Sequence, residues 1–179
     1  MTKEFAARRL DVKSFAEEGA ALSGESSLQQ HARLMAETQG RGAQEPLRWS
    51  ALGEVRNRQH LHPDIWLHLQ AQVTLPLTCQ RCLEPVEVPV SVKRSFRFVA
   101  DEEGAAAQDD QSEEDVLALS RGFDLVELAE DELLMDIPLA PRHETCPPVK
   151  RALTDASFES AASRQENPFA LLGRLKIGK

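Results

Sequence analysis

The sequence predicts an α+β fold: an antiparallel β-sheet built on one long hairpin and packed with helices on one face. Two alternating runs carry the prediction. From Leu61 to Leu77, apolar side chains fall at odd positions: Leu61, Ile65, Leu67, Leu69, Ala71, Val73, Leu75 and Leu77. Beyond Thr78-Cys79-Gln80-Arg81-Cys82-Leu83-Glu84-Pro85 they fall at even positions: Val86, Val88, Val90, Val92, Phe96 and Phe98. An extended strand sends successive side chains to opposite faces, so each run buries one side and wets the other. Antiparallel pairing with an odd index sum places both apolar sets on one face. Pairing Val73 with Val88 does this and sets Cys79 opposite Cys82. The third observation is physical: a hairpin alone is marginal in water, so a further strand and covering helices are required.

The other elements follow in chain order. Two helices are expected within 11–40. Asp11-Val-Lys-Ser-Phe-Ala-Glu-Glu precedes Gly19, and Ser26 or Ser27 caps a stretch through Ala36 that Gly40 ends. Leu47, Trp49, Ala51 and Val55 alternate with polar residues, a third strand interrupted by Leu52. Residues 101–115 are acidic and lack large apolar side chains, which predicts a mobile loop. Asp124-Leu-Val-Glu127 has capping-box spacing ahead of Leu125, Val126, Leu128, Ala129 and Leu133, and Ile137-Pro138 stops that helix. Val149 to Glu166 reads as loosely held chain, and Asn167-Pro168 opens a short final helix. The expected organisation is one domain over 1–179. It comprises an N-terminal helical region (1–45), a sheet core (46–100), a flexible acidic loop (101–118), and a helix with a loosely held C-terminal segment (119–179).

Composition narrows the partners. The 179 residues are 41% apolar with a net charge of −8, and no segment approaches a membrane span. With no secretory signal and an odd count of three cysteines, a reducing cytoplasm is the expected compartment. The acidity is local. Residues 101–136 hold fourteen acidic side chains and one basic, Arg121, so the remainder is mildly basic and an RNA partner is compatible with it. No phosphate-cradling glycine loop, nucleophile elbow or helical His-Glu-x-x-His is present, and no enzyme or small-molecule substrate is expected.

Two candidate sites remain. Cys79-x-x-Cys82 is half of a tetrahedral zinc site, and His143-x-x-Cys146 offers two further ligands; the plainer reading is that the thiols only shape a turn. On the wet side of the hairpin, His60, His62, Trp66, His68, Gln70, Gln72 and Thr74 stand beside Lys93, Ser95 and Arg97. Cations and amides beside an aromatic ring suit phosphate contact and base stacking, which makes Trp66, His68, Lys93 and Arg97 RNA-contact candidates. The plainer reading is the ordinary polar face of an antiparallel sheet.

Several segments in order resemble the YceD-like family, the large ribosomal RNA subunit accumulation proteins. They are Leu77-Thr-Cys79-Gln-Arg-Cys82-Leu-Glu-Pro85, the stretch from Asp124 to Pro141 with Glu130-Asp-Glu-Leu-Leu-Met-Asp-Ile-Pro138, then Cys146, and Asn167-Pro-Phe-Ala-Leu-Leu. The resemblance covers most of residues 45–175. It implies a bacterial cytoplasmic protein that supports synthesis or accumulation of 23S ribosomal RNA, acting on that RNA or its assembly proteins, without known catalysis or a required cofactor. The alternative is an adaptor whose acidic segment holds basic ribosomal proteins. Some members carry several further cysteines after the position matching Cys146. Here Pro147-Pro148-Val149 follow instead, leaving His143 as the nearby substitute.

Overall fold

A computed structural model describes residues 4–61, 63–109 and 112–148. The expectations for Val149–Glu166, for a helix from Asn167 and for His62 lie outside the described residues. The chain divides into two units, Met1–Thr145 and Cys146–Lys179. The first contains a five-stranded sheet in chain order, β1 (Ala21–Ser27), β2 (Pro46–Arg56), β3 (Asp64–Thr78), β4 (Pro85–Val99) and β5 (Asp115–Ala118). All neighbours are antiparallel except β4 and β5, which are parallel. Among the described residues four α-helices accompany it: α1 (Val12–Glu17), α2 (Ala32–Glu37), α3 (Glu102–Asp109) and α4 (Leu125–Met135).

The alternating runs form the central strands, with Leu67, Leu69, Leu75, Val90, Phe96 and Phe98 buried on one face. Leu125, Ala129 and Leu133 of α4 and Val12, Phe15 and Ala16 of α1 join the same core, at roughly 25 cal/mol per Å² of apolar surface removed from water. Val73 and Val88 share a face as expected, but the register lies two residues further along. Val73 pairs with Val90, Leu75 with Val88 and Thr78 with Pro85, so Cys79 does not face Cys82. The reason is turn chemistry. Opposing the two cysteines would leave Gln80-Arg81 as a two-residue loop, which demands positive φ at one or both central residues. The chain instead spends six residues, with the Cys79 N–H donating to the Glu84 carbonyl and Leu83 taking the left-handed conformation at φ 64°.

Two expectations fail. The second N-terminal helix is only α2; Leu28–Gln30 before it form a single 3-10 turn, and Ala21–Ser27 form the outer strand β1. Ala21–Ser27 carries small and polar side chains with little apolar alternation to read. Its anchor is shape: a Cβ on Gly24 would lie 2.5 Å from the Trp49 ring across the β1–β2 pair, so the indole lies over bare backbone. The acidic stretch is not a free loop either. Asp101 accepts the Gly104 N–H at 2.7 Å to start α3, the Arg97 guanidinium holds Gln108 at 2.9 Å and Ser112 at 2.8 Å, and Val116 of β5 is buried. Here local tertiary anchors outweigh composition.

α4 behaves as its cap predicts: Asp124 Oδ1 accepts from the Val126 and Glu127 N–H groups, both at 3.0 Å. It also caps another helix. No side chain of its own caps α2, yet Glu130 Oε1 of α4 accepts the Arg33 N–H at 2.9 Å and the Leu34 N–H at 3.3 Å. His31 is buried beside this carboxylate, its Nε2 2.7 Å from Ser26 Oγ and its Nδ1 3.8 Å from Glu130 Oε2.

Burial pushes the His31 pKa below its ordinary value, and Glu130 opposes this less strongly. A histidine whose folded pKa is depressed takes its proton first in the unfolded chain. Its contribution is therefore intact above about pH 6.5 and is lost as pH falls through that value toward the folded pKa. Melting temperature should decline on acidification through this window, and His31→Gln should flatten the decline. Glu132, whose carboxyl burial pushes up, acts in the opposite direction, so the difference between the two proteins isolates His31. Parallel melting curves from pH 7.5 to 5.5 would refute the assignment.

Candidate functional site

The sheet face away from α4 presents cross-strand rows, because strand partners project to the same side. One row is Ser23–Ser50–Gln70–Lys93 and the next is Glu25–Arg48–Gln72–Ser91. They line an open concavity of about 620 Å³ across four strands. Arg48 donates to Glu25 at 2.7 Å, and the Lys93 ammonium is exposed. Hydroxyl, amide and cationic groups therefore share one trough. The amides of Gln70 and Gln72 and the Lys93 cation are legible in the alternation; Ser23 and Glu25 are not, because they belong to the strand that composition hides.

Further along this face, three expected contact residues are engaged within the protein. Trp66 is only 7% exposed, with the Arg56 guanidinium 4.3 Å from its ring centroid. The His68 ring lies nearly parallel to the indole at 6.4 Å, its Nε2 2.7 Å from Glu54 Oε2 and its Nδ1 2.8 Å from Ser95 Oγ. Hydrogen bonds from Arg56, then from His68, hold the Glu54 carboxyl below the usual range. Arg97 is committed to Gln108 and Ser112. Trp66 is thus a covered residue rather than an exposed stacking platform, with the Arg56 side chain of the neighbouring strand lying over its ring. The structure leaves Lys93 in the open part and engages Trp66 with Arg56, His68 with Glu54 and Ser95, and Arg97 with Gln108 and Ser112.

The hairpin tip gathers the sulfur ligands. The Gln80 N–H donates to the Pro141 carbonyl at 2.9 Å, and the Arg81 guanidinium donates to the carbonyls of His143 at 3.2 Å and Glu144 at 3.4 Å. These bonds lay the chain after α4 along the turn. His143 Nε2 is 2.9 Å from the Pro85 carbonyl, which can only accept, so Nε2 carries the proton and Nδ1 keeps its lone pair. Nδ1 in turn lies 3.4 Å from Cys82 Sγ. The three cysteines form no disulfide, and the ligating atoms of Cys79, Cys82 and His143 lie within 4.8 Å of one another. Cys146 is the first residue of the second unit. Three of the four residues named by spacing, Cys79, Cys82 and His143, are thus brought together within the first unit. Burial pushes the Cys79 thiol up, but backbone N–H groups of Cys82, Arg81 and His143 pull the other way and bring it down to about 5.

A family model described as "Large ribosomal RNA subunit accumulation protein YceD" matches residues 67–176, more than half of the chain. The chain belongs to the YceD family. The match begins within β3, takes in the sulfur-bearing turn and α4, and runs on past the described residues. A large ribosomal RNA subunit accumulation protein YceD from Haemophilus influenzae is 28% identical over 109 residues, which is 60% of this chain and 63% of that protein. The alignment therefore spans less than two thirds of the relative. No solved structure matches the chain. Among the described residues no helix is long and apolar enough to cross a membrane. YceD membership and the α+β sheet agree with the sequence reading.

Proposed function

We propose that this chain is a non-catalytic ribosome-biogenesis factor that supports accumulation of large-subunit ribosomal RNA by holding RNA against the open face of its sheet. The observation that carries the reading is the polar trough in which Lys93 stands among Gln70, Gln72, Ser50 and Ser91 across neighbouring strands. Amides and hydroxyls can bond ribose 2′-OH groups and base edges, while the ammonium and Arg48 meet phosphates. Family membership supplies the RNA class, and the absence of enzyme motifs from the sequence supports a binding role.

Single-charge reversal tests it on a precursor of large-subunit RNA across a salt series. Lys93→Glu should weaken binding about tenfold, the size of one lost charge-assisted hydrogen bond of about 1.5 kcal/mol. The log–log salt slope should fall by about 0.7–0.9, one phosphate contact. Arg97→Gln, which disturbs the covered end, should change affinity much less. Unchanged affinity and slope for Lys93→Glu would remove the trough as the RNA surface. RNA-independent capture of basic ribosomal proteins would favour the adaptor instead.

A further inference from the structure

We propose that Cys79, Cys82 and His143, completed by Cys146, bind one zinc ion that staples the β3–β4 turn to the chain following α4. This inference does not depend on the RNA reading. Four ligands around a tetrahedral zinc, at about 2.3 Å for sulfur and 2.0–2.1 Å for nitrogen, stand about 3.5–3.8 Å from one another. Cys82 Sγ and His143 Nδ1 are already 3.4 Å apart, and with Cys79 Sγ they fall within 4.8 Å, so closing these three on an ion needs only side-chain adjustments. Three thiolates and one imidazole are a soft set that suits zinc over calcium, magnesium or manganese.

The surroundings fit as well as the ligands. A zinc-bound histidine commonly gives its second N–H to a carbonyl or carboxylate, which fixes ring orientation. Here the Pro85 carbonyl accepts from Nε2 at 2.9 Å and turns Nδ1 to the sulfurs. Cys79 is fully buried at the base of the group, and the positive φ of Leu83 closes the turn between the thiols and β4. The Gln80–Pro141 and Arg81–His143 bonds bring His143 to the cysteine pair without the ion. The site is therefore preformed, and the ion locks it. As it binds, cysteines still protonated release their protons to solvent.

Native mass spectrometry of the full chain, purified without chelator, should show one zinc per chain. Replacement by cobalt should give thiolate-to-cobalt charge-transfer absorption and the visible bands of tetrahedral geometry. Cys82→Ser and His143→Ala should each weaken zinc binding at least about tenfold, and Gln80→Ala, beside the site but not a ligand, should not. Should those variants fail to fold, chelator titration of the wild-type protein decides: melting temperature must fall as zinc is removed and recover when it returns. A zinc-free protein with unchanged melting temperature would overturn the proposal. So would a Cys79–Cys82 disulfide in protein isolated under reducing conditions, or a cobalt spectrum without thiolate bands.

Discussion

Gly53→Ala will destabilise the fold by about 2–3 kcal/mol, a large effect for the addition of one methyl group. Gly53 lies in β2 where α1 crosses. A Cβ there would sit 2.7 Å from Phe15 Cδ1 and 2.8 Å from both the N and Cα of Ala16. Two of these atoms are backbone, so no rotamer change relieves the clash and α1 must move. Phe15 and Ala16 are fully buried, so that movement opens the core that the helix closes. For a chain of this size the melting temperature should drop by about 5–10 °C, read by circular dichroism and checked by urea unfolding. Gly122→Ala is the matched control, because a Cβ at Gly122 meets nothing within 4 Å, and it should be neutral or slightly stabilising. An unchanged melting temperature for Gly53→Ala would mean that α1 is not held against the strand.

Glu130→Ala should cost a similar amount, about 2–4 kcal/mol, for an electrostatic reason. Its carboxylate is the acceptor for the first turn of α2 through the N–H groups of Arg33 and Leu34, and Oε2 lies 3.6 Å from the Arg33 guanidinium. Alanine leaves those N–H groups without that acceptor and removes the negative charge beside Arg33. Glu130→Gln separates the two parts, since its amide oxygen can still cap while the charge is gone, and it should lose clearly less. Hydrogen exchange provides the local readout: the Arg33 and Leu34 amides should lose protection in the alanine protein first. Equal losses for alanine and glutamine would assign the role to charge alone.

The sequence is most legible where side-chain period and burial coincide. The 64–78 and 85–99 strands are long, one face is packed, and a slip of one residue would turn every leucine and valine outward. A slip of two keeps the same face buried, which is why face is readable and register is not; the turn at Leu83 decides it. β1 and α3 are opaque for a related reason. Their residues are small or charged, and what orders them is a Gly24–Trp49 contact and an Arg97 clamp made across the fold. The candidate site divides in the same way. The Cys79-x-x-Cys82 and His143-x-x-Cys146 spacings anticipate the cluster at the tip. By contrast, Trp66 alternates as a wet-face residue, and it is covered only once the Arg56 side chain of the neighbouring strand lies over it. Glu130 looks like one more surface acid on an amphipathic helix, and its role as a cap depends on α2 lying beside it.

Because the order of strands in space repeats their order along the chain, assembly can proceed by addition, each new strand finding the edge left by the one before it. Pairings of this kind close short loops and keep the entropic toll of the search small. The costly closures are elsewhere: Leu10 bridges to Phe123 just ahead of α4, Arg8 pairs with Asp124, and Glu130 reaches back to cap α2. A nascent chain can thus raise its ribbon early, while the seam between its beginning and residue 123 waits for the second half to be made.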